Sequence, residues 1–293
     1  MPSTRGTVFA TQLLTPVGVL KLKRDPAVTP LIKVGSLLLL WCVLGAVLNL
    51  AHAADPPEAI GSLFSKDPQN YLCTATVVDG QELGLEHEVA VLTAAHCVEG
   101  GVKKDKASGT WASNEGYEVT FDSQDFFEVY PYRVGYARKG YDLAVMLFVD
   151  ATPELTPLHM GSWDQIDFGT DIQNFANPLG MGIQYFTGAI TMMHIEPSPI
   201  NKKTQWHHNA VASVQVGPGS SGSLILNESQ EYVGVLSGVM EARFGSPFTI
   251  FVPQWRFEDF MIDETAGRDL ECSACTLYHL AVSKQMGEEV VIE

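Results

Sequence analysis

The chain has 293 residues, 46% of them hydrophobic and 18% charged, which is the composition of a globular protein and not of a disordered one. Its formal net charge of -16 argues against a nucleic-acid binder, because neutralising phosphates takes an excess of Lys and Arg. The 26 glycines and 16 prolines point to many turns.

The charge is unevenly spread. Residues 1–54 carry Arg5, Lys21, Lys23, Arg24 and Lys33 but a single acid, Asp25, so a basic leader precedes an acidic body. Leu37 to Ala51 is an apolar run, followed by the small-x-small pattern Ala51-His52-Ala53. Basic flank, short apolar core and that pattern are the three parts of a secretory signal. The run is 15 residues long, whereas a bilayer span takes about 20; counted from Val34 to Ala54 it comes near that length. Residues 1–54 therefore read as leader and signal peptide, cleaved after Ala53, with an uncleaved membrane anchor over 34–54 as the alternative. The first 33 residues are long for the start of a signal; either the chain is assigned too early a start or they form a cytoplasmic tail. The expected location is outside the cytoplasm, secreted or periplasmic, and a membrane partner is expected only if the leader is retained. Export permits disulfides and leaves four cysteines, Cys73, Cys97, Cys272 and Cys275, an even number as pairing requires.

Beyond Ala54 the chain reads as short strands separated by turn signals. In chain order they are 72–78, 88–94, 117–121, 126–137, 142–149, 172–176, 186–195, 209–216, 222–227, 231–239 and 248–252. They are rich in Val, Ile, Thr, Tyr and Phe, several alternate, and almost no 3.6-residue periodicity interrupts them, which is the pattern of a sandwich or barrel. About 210 residues of strand is large for one small barrel and fits two packed barrels, with a boundary near 150–165. We assign an N-terminal barrel to 55–160 and a C-terminal barrel to 161–264. One helix is expected over 253–264, with Pro253 at its start, and a tail over 265–293.

Three local motifs carry chemistry. "LTAAHCV" sets His96 after an apolar strand and the small-residue turn Ala94-Ala95, which lets a neighbouring segment approach the imidazole. "YDLAVMLF" opens a nearly continuous apolar strand with Asp142; a carboxylate there is costly unless hydrogen-bonded, and an imidazole N–H would satisfy it while fixing the tautomer of a base. "VGPGSSGSLILN" places Ser221 between Gly219 and Gly222, where a sharp backbone can aim Oγ and converge the N–H groups of Gly219 and Ser221 on an oxyanion. Each alone has an ordinary explanation: a structural histidine, a turn aspartate, a flexible loop. The three in the order His, Asp, Ser do not.

In that order and context the motifs resemble the trypsin-like serine peptidases of the chymotrypsin fold. "NPLGMGIQYFTGAIT" (177–191) and "VGPGSSGSLILNESQEYVGV" (216–235) are similar to the Deg, or high-temperature-requirement, branch. The likeness covers roughly 60–262. It departs at Ser220, where that branch has Asn, and at Ser223, where it has Gly, and no PDZ domain is expected after the barrels.

The resemblance implies an all-β fold of two six-stranded antiparallel barrels with the active site between them. His96 would be the general base, Asp142 its orienter and Ser221 the nucleophile of a serine endopeptidase acting on polypeptides through an acyl-enzyme. It further implies that Ser237 donates to Asp142, that strand 237–239, with Gly238 and Val239, pairs with extended substrate, and that Cys73 and Cys97 form a disulfide. Gln215 would stand at the base of the P1 pocket. With no Asp there, a preference for Arg or Lys is not expected; Val214, Val216 and Val239 suggest small or medium apolar side chains, and Arg243 could instead favour an acidic one. Ser220 is uncharged, so activation by an inserted N-terminal amine is not expected. The alternative is a catalytically inactive binding protein on the same fold. No cofactor or metal is expected: "CSAC" (272–275) lacks a βαβ context for redox chemistry and reads as a tail disulfide or two free thiols, and "WHH" (206–208) reads as a surface loop.

Overall fold

Alternating apolar side chains, turned to one face, close two sheets into barrels in the computed structural model, which describes residues 57–66, 69–106, 108–113, 115–121, 125–197, 206–240 and 248–271. The leader, Arg243, Cys272 and Cys275 lie outside the described residues.

The first barrel comprises β1 (Ile60–Lys66), β2 (Gln69–Asp79), β3 (Val89–Thr93), β6 (Tyr117–Thr120), β7 (Phe126–Gly135) and β8 (Ala144–Phe148); the hairpin of β4 (Val102–Lys104) and β5 (Trp111–Ser113) stands apart. The order is β7-β6-β1-β2-β3-β8, and β8 pairs back onto β7. Leu63, Ala75, Val77, Val91, Tyr117, Val119 and Met146 fill it. Strand β1 was not among the expected strands; "IGSLFSK" carries Gly61, a residue depleted in strands. Its strand character is tertiary. It lies between β2 and β6, and a Cβ at Gly61 would stand 2.4 Å from the Thr120 carbonyl oxygen, so only glycine lets the two backbones approach.

The second barrel comprises β9 (Asp171–Ala176), β10 (Gln184–Met192), β11 (Ala210–Ala212), β12 (Leu224–Leu226), β13 (Tyr232–Met240) and β14 (Phe248–Pro253), closed in the order β10-β11-β14-β13-β12-β9. Ile172, Ile190, Ala212, Val214, Ile225, Val233 and Phe251 form its core. The fold is thus all-β with two six-stranded antiparallel barrels, as expected.

The expected C-terminal helix is shorter than the sequence suggests: a single 3-10 turn at Gln254–Arg256 leads into α1 (Phe257–Ile262), which buries Phe257 and Phe260. The chain then returns to the first barrel, where β15 (Gly267–Asp269), also unexpected, pairs with β7. The buried Arg133 of β7 secures this return, donating to the carbonyls of Phe260 and Asp263 and to the Asp269 carboxylate. Between the barrels a strap runs through two parallel bridges, Val78–Leu158 to the first and Met160–Tyr232 to the second. Among the described residues, no helix is long and apolar enough to cross a membrane.

Candidate active site

His96 sits on the 3-10 turn Ala95–Cys97 directly after β3. Ala94 and Ala95 are fully buried, and Cys97 is disulfide-bonded to Cys73 of β2, which braces the turn. Asp142 lies two residues before β8 and is buried. One of its carboxylate oxygens accepts the His96 backbone N–H (2.9 Å). The other stands 2.7 Å from His96 Nδ1 and accepts the Ser237 hydroxyl (2.6 Å). Both oxygens are therefore satisfied, and the imidazole is fixed at its backbone and at its ring. The neighbouring backbone is held as well: Arg256 stacks on Tyr141, its guanidinium carbon 3.9 Å from the ring centroid, and donates to the Gly140 carbonyl.

The Ser221 loop meets this corner from the other barrel. Gly219 and Gly222 have φ of 92° and 84°, the left-handed region that glycine adopts without strain. A Cβ at Gly222 would lie 2.2 Å from Thr93 Oγ1 and 2.9 Å from the Ala94 nitrogen, so the loop is pressed against the turn that carries His96. The Ser221 carbonyl accepts the Thr74 N–H (3.0 Å), and the Gly219 carbonyl accepts the hydroxyls of Tyr71 (2.7 Å) and Thr74 (3.0 Å). Tyr71 also reaches the Asn177 carbonyl, and the Leu179 N–H donates to Pro218 (2.8 Å). The N–H groups of Ser220 and Gly222 are taken by Gly217 and Leu236. Those of Gly219 and Ser221 have no acceptor among the described residues, and they are the two the sequence nominates for an oxyanion. No hydrogen bond joins Ser221 Oγ to His96; in free enzymes this contact is often long and tightens when substrate arrives.

The carboxylate of Asp142 governs the imidazole. Burial lowers the His96 pKa, but the hydrogen bond and charge of Asp142, with the charge of Glu99, outweigh it and leave the pKa above the ordinary 6.5. Tyr71 is held neutral, its pKa pushed up to about 12 by burial.

Along β13, pairing with β12 ends at Val235, whereas pairing with β14 continues to Met240. The other edge of 237–240 is open among the described residues, and a Cβ at Gly238 would meet nothing within 4 Å. Val239 is exposed, as is Gln215. Val214 is not a pocket residue: Ala210, Ala212 and Val214 alternate inward, so it is fully buried in the barrel core, and Val216 packs against that core. The sequence reading missed Tyr71, Thr74, Asn177 and Arg256. The bond from Tyr71 to Gly219 spans 148 residues, and no local pattern announces such a contact.

Residues 73–235 match the family model described as a trypsin-like peptidase domain, more than half of the chain, and the protein belongs to that family. Among solved structures it is similar to the HtrA-type protease AlgW with a decapeptide (16% identity, 70% of this chain and 63% of that one, TM-score 0.53). It is also similar to Rv3671c from M. tuberculosis in an inactive form (17% identity, 74% and 91%, TM-score 0.51). At these identities the likeness is one of fold. The chain spans about three fifths of the length of AlgW. No curated protein sequence matches it significantly.

Proposed function

We propose that this protein is a serine endopeptidase in which Ser221 is the nucleophile, His96 the general base and then acid, and Asp142 the orienter of His96. The observation that carries the reading is the Asp142 carboxylate bonded at once to the His96 ring, the His96 backbone and Ser237. The unpaired N–H groups of Gly219 and Ser221 support an oxyanion hole. In the reaction, Ser221 Oγ attacks the scissile carbonyl while His96 Nε2 takes its proton. His96 then protonates the leaving amine, and water cleaves the acyl-enzyme by the same path. The test is labelling with a fluorophosphonate: one adduct on Ser221 is expected, and a folded protein that takes none would refute the mechanism.

A polypeptide substrate laid along 237–239 would add a strand to β13. The peptide-bound AlgW structures support substrates of that class. Gln215 in the position of a P1-pocket base favours apolar over basic P1 residues. The basic leader with its apolar run, together with the Cys73–Cys97 disulfide, supports an exported protein. We place the barrel limits at 55–160 and 161–264, a division that the strap between β8 and β9 supports.

Two measurable consequences follow from the hydrogen bonds and the charges. His96 must be neutral to act as a base, so kcat/KM should rise with pH through a pKa above 6.5. Glu99→Gln removes a charge that favours the imidazolium, and it leaves Arg268, 3.2 Å from that carboxylate, uncompensated. Both effects lower the His96 pKa. The acid limb should therefore move to lower pH, and a limb that moves upward or stays would contradict the assignment. Tyr71→Phe removes one of two hydroxyls holding the Gly219 carbonyl. A hydrogen bond contributes about 0.5–1.5 kcal/mol, so kcat should fall by up to about tenfold with KM nearly unchanged. A change confined to KM would assign Tyr71 to substrate binding instead.

A further inference from the structure

Outside the catalytic corner, one group of side chains has the composition and spacing of a metal site. Asp79 ends β2, Glu82 follows on the next 3-10 turn, and His159 projects from the strap between the barrels. His159 Nδ1 stands 3.0 Å from Glu82 Oε1 and 3.8 Å from Asp79 Oδ2, and one ligand atom from each residue lies within 4.8 Å of the others. Around a tetrahedral zinc, with bonds of about 2.0–2.2 Å, neighbouring ligand atoms are separated by about 3.3–3.6 Å, so the three need only small shifts.

The remaining carboxylate oxygens are held by the backbone. Asp79 Oδ1 accepts the N–H of Gln81 (2.8 Å), and Glu82 Oε2 accepts the N–H of Met160 (2.6 Å). An oxygen of each is thereby left for the point where His159 arrives, as outer-shell bonds orient metal ligands.

A second observation is independent of the trio. Tyr232 is fully buried and runs beside the strap, donating its N–H to the His159 carbonyl (2.9 Å), yet its hydroxyl has no hydrogen-bond partner among the described residues. Its phenol pKa is raised by burial first and then by the charges of Glu82 and Asp79. A buried hydroxyl is seldom left without a partner. A His159–Glu82 ion pair alone does not use the second carboxylate, whose Oδ2 stands 3.8 Å from the same imidazole nitrogen; a cation between the three would engage all of them.

We propose that Asp79, Glu82 and His159 bind one divalent transition-metal ion of the zinc type, clasping the end of β2 to the inter-barrel strap. One imidazole nitrogen and two carboxylate oxygens suit zinc better than magnesium or calcium, which take all-oxygen sets. The bound ion joins the first barrel to the strap that also pairs with β13 of the second, and so stiffens the relation between them.

The test uses the purified full chain, stripped with a chelator and titrated with Zn²⁺ by calorimetry and with Co²⁺ as a spectroscopic probe. One site, a Co²⁺ visible band and a rise in the unfolding midpoint on adding Zn²⁺ are expected. His159→Ala and Glu82→Gln should each weaken Zn²⁺ binding at least about tenfold and abolish the band. Their midpoints in chelator should match the wild type, since the His159 side chain is 60% exposed. Equal Zn²⁺ affinity in wild type and both variants, or no binding below millimolar concentration, would overturn the proposal. The readout is binding, so it stands apart from peptidase activity.

Discussion

Ser221→Ala should fold like the wild type and hydrolyse peptides on the order of 10⁶-fold more slowly, with covalent labelling lost. The fold should survive because the Ser221 loop is held through its backbone: the Ser221 carbonyl to Thr74, the Gly222 N–H to Leu236, and the Gly219 carbonyl to Tyr71 and Thr74. None of these bonds uses Ser221 Oγ. The loss in kcat is large because the neighbouring hydroxyls of Thr93 and Ser237 are already engaged, with the Thr74 carbonyl and with Asp142. Residual turnover of about 10³–10⁴-fold over water is expected from oxyanion stabilisation and binding alone. Single-turnover kinetics on purified protein would measure it. Activity within tenfold of the wild type would remove Ser221 from the mechanism.

Asp142→Asn should lower kcat by about 10⁴-fold with the same fold and nearly the same KM. The direction follows from which oxygen meets which group. The His96 backbone N–H is a donor only, so the amide oxygen of the new Asn must occupy the position of Oδ1. Its NH₂ then falls where Oδ2 was, facing His96 Nδ1 and Ser237 Oγ. Ser237 can turn its hydroxyl and accept. His96 Nδ1 can accept only if its proton moves to Nε2, and Nε2 can then no longer take the proton of Ser221. Every hydrogen bond is satisfied, so little stability is lost, but the base is held in the wrong tautomer. A nitrogen-15 spectrum of the imidazole should show the proton shifted between the two nitrogens. An unchanged tautomer with the activity nonetheless lost would show that the Asp142 charge, and not its orientation of the ring, is what matters.

Strands such as β8, with "AVMLF", and the inward alternation of Tyr117 and Val119 could be read from the sequence because burial leaves a local periodic trace. The proposed catalytic trio could be nominated from the sequence for another reason: each member sits in a short segment whose neighbours are constrained with it. What escaped depends on distant partners. Strand β1 is a strand only because β2 and β6 flank it, and β15 only because β7 offers it an edge. The Tyr71 hydroxyl and the Arg256 guanidinium look like ordinary surface chemistry until carbonyls far along the chain meet them. Val214 was misjudged in the opposite sense: proximity to Ser221 suggested a pocket, while alternation with Ala212 turned it into the core. His159 and Glu82 stand 77 positions apart, so no spacing rule could join them.

The return of β15 to the first barrel bears on how the chain is made. Arg133 belongs to an early strand, yet the acceptors of its guanidinium are Phe260, Asp263 and Asp269. Until those residues emerge, the early barrel carries a charge that it cannot bury without a partner, which is strongly unfavourable. Although domains generally fold in order of synthesis, this one is left open until the late segment arrives. During synthesis, then, the half-made molecule holds an unfinished barrel. A product broken off before Gly267 lacks the Asp269 acceptor and the β15 pairing, and should be less stable and more readily degraded than the whole chain.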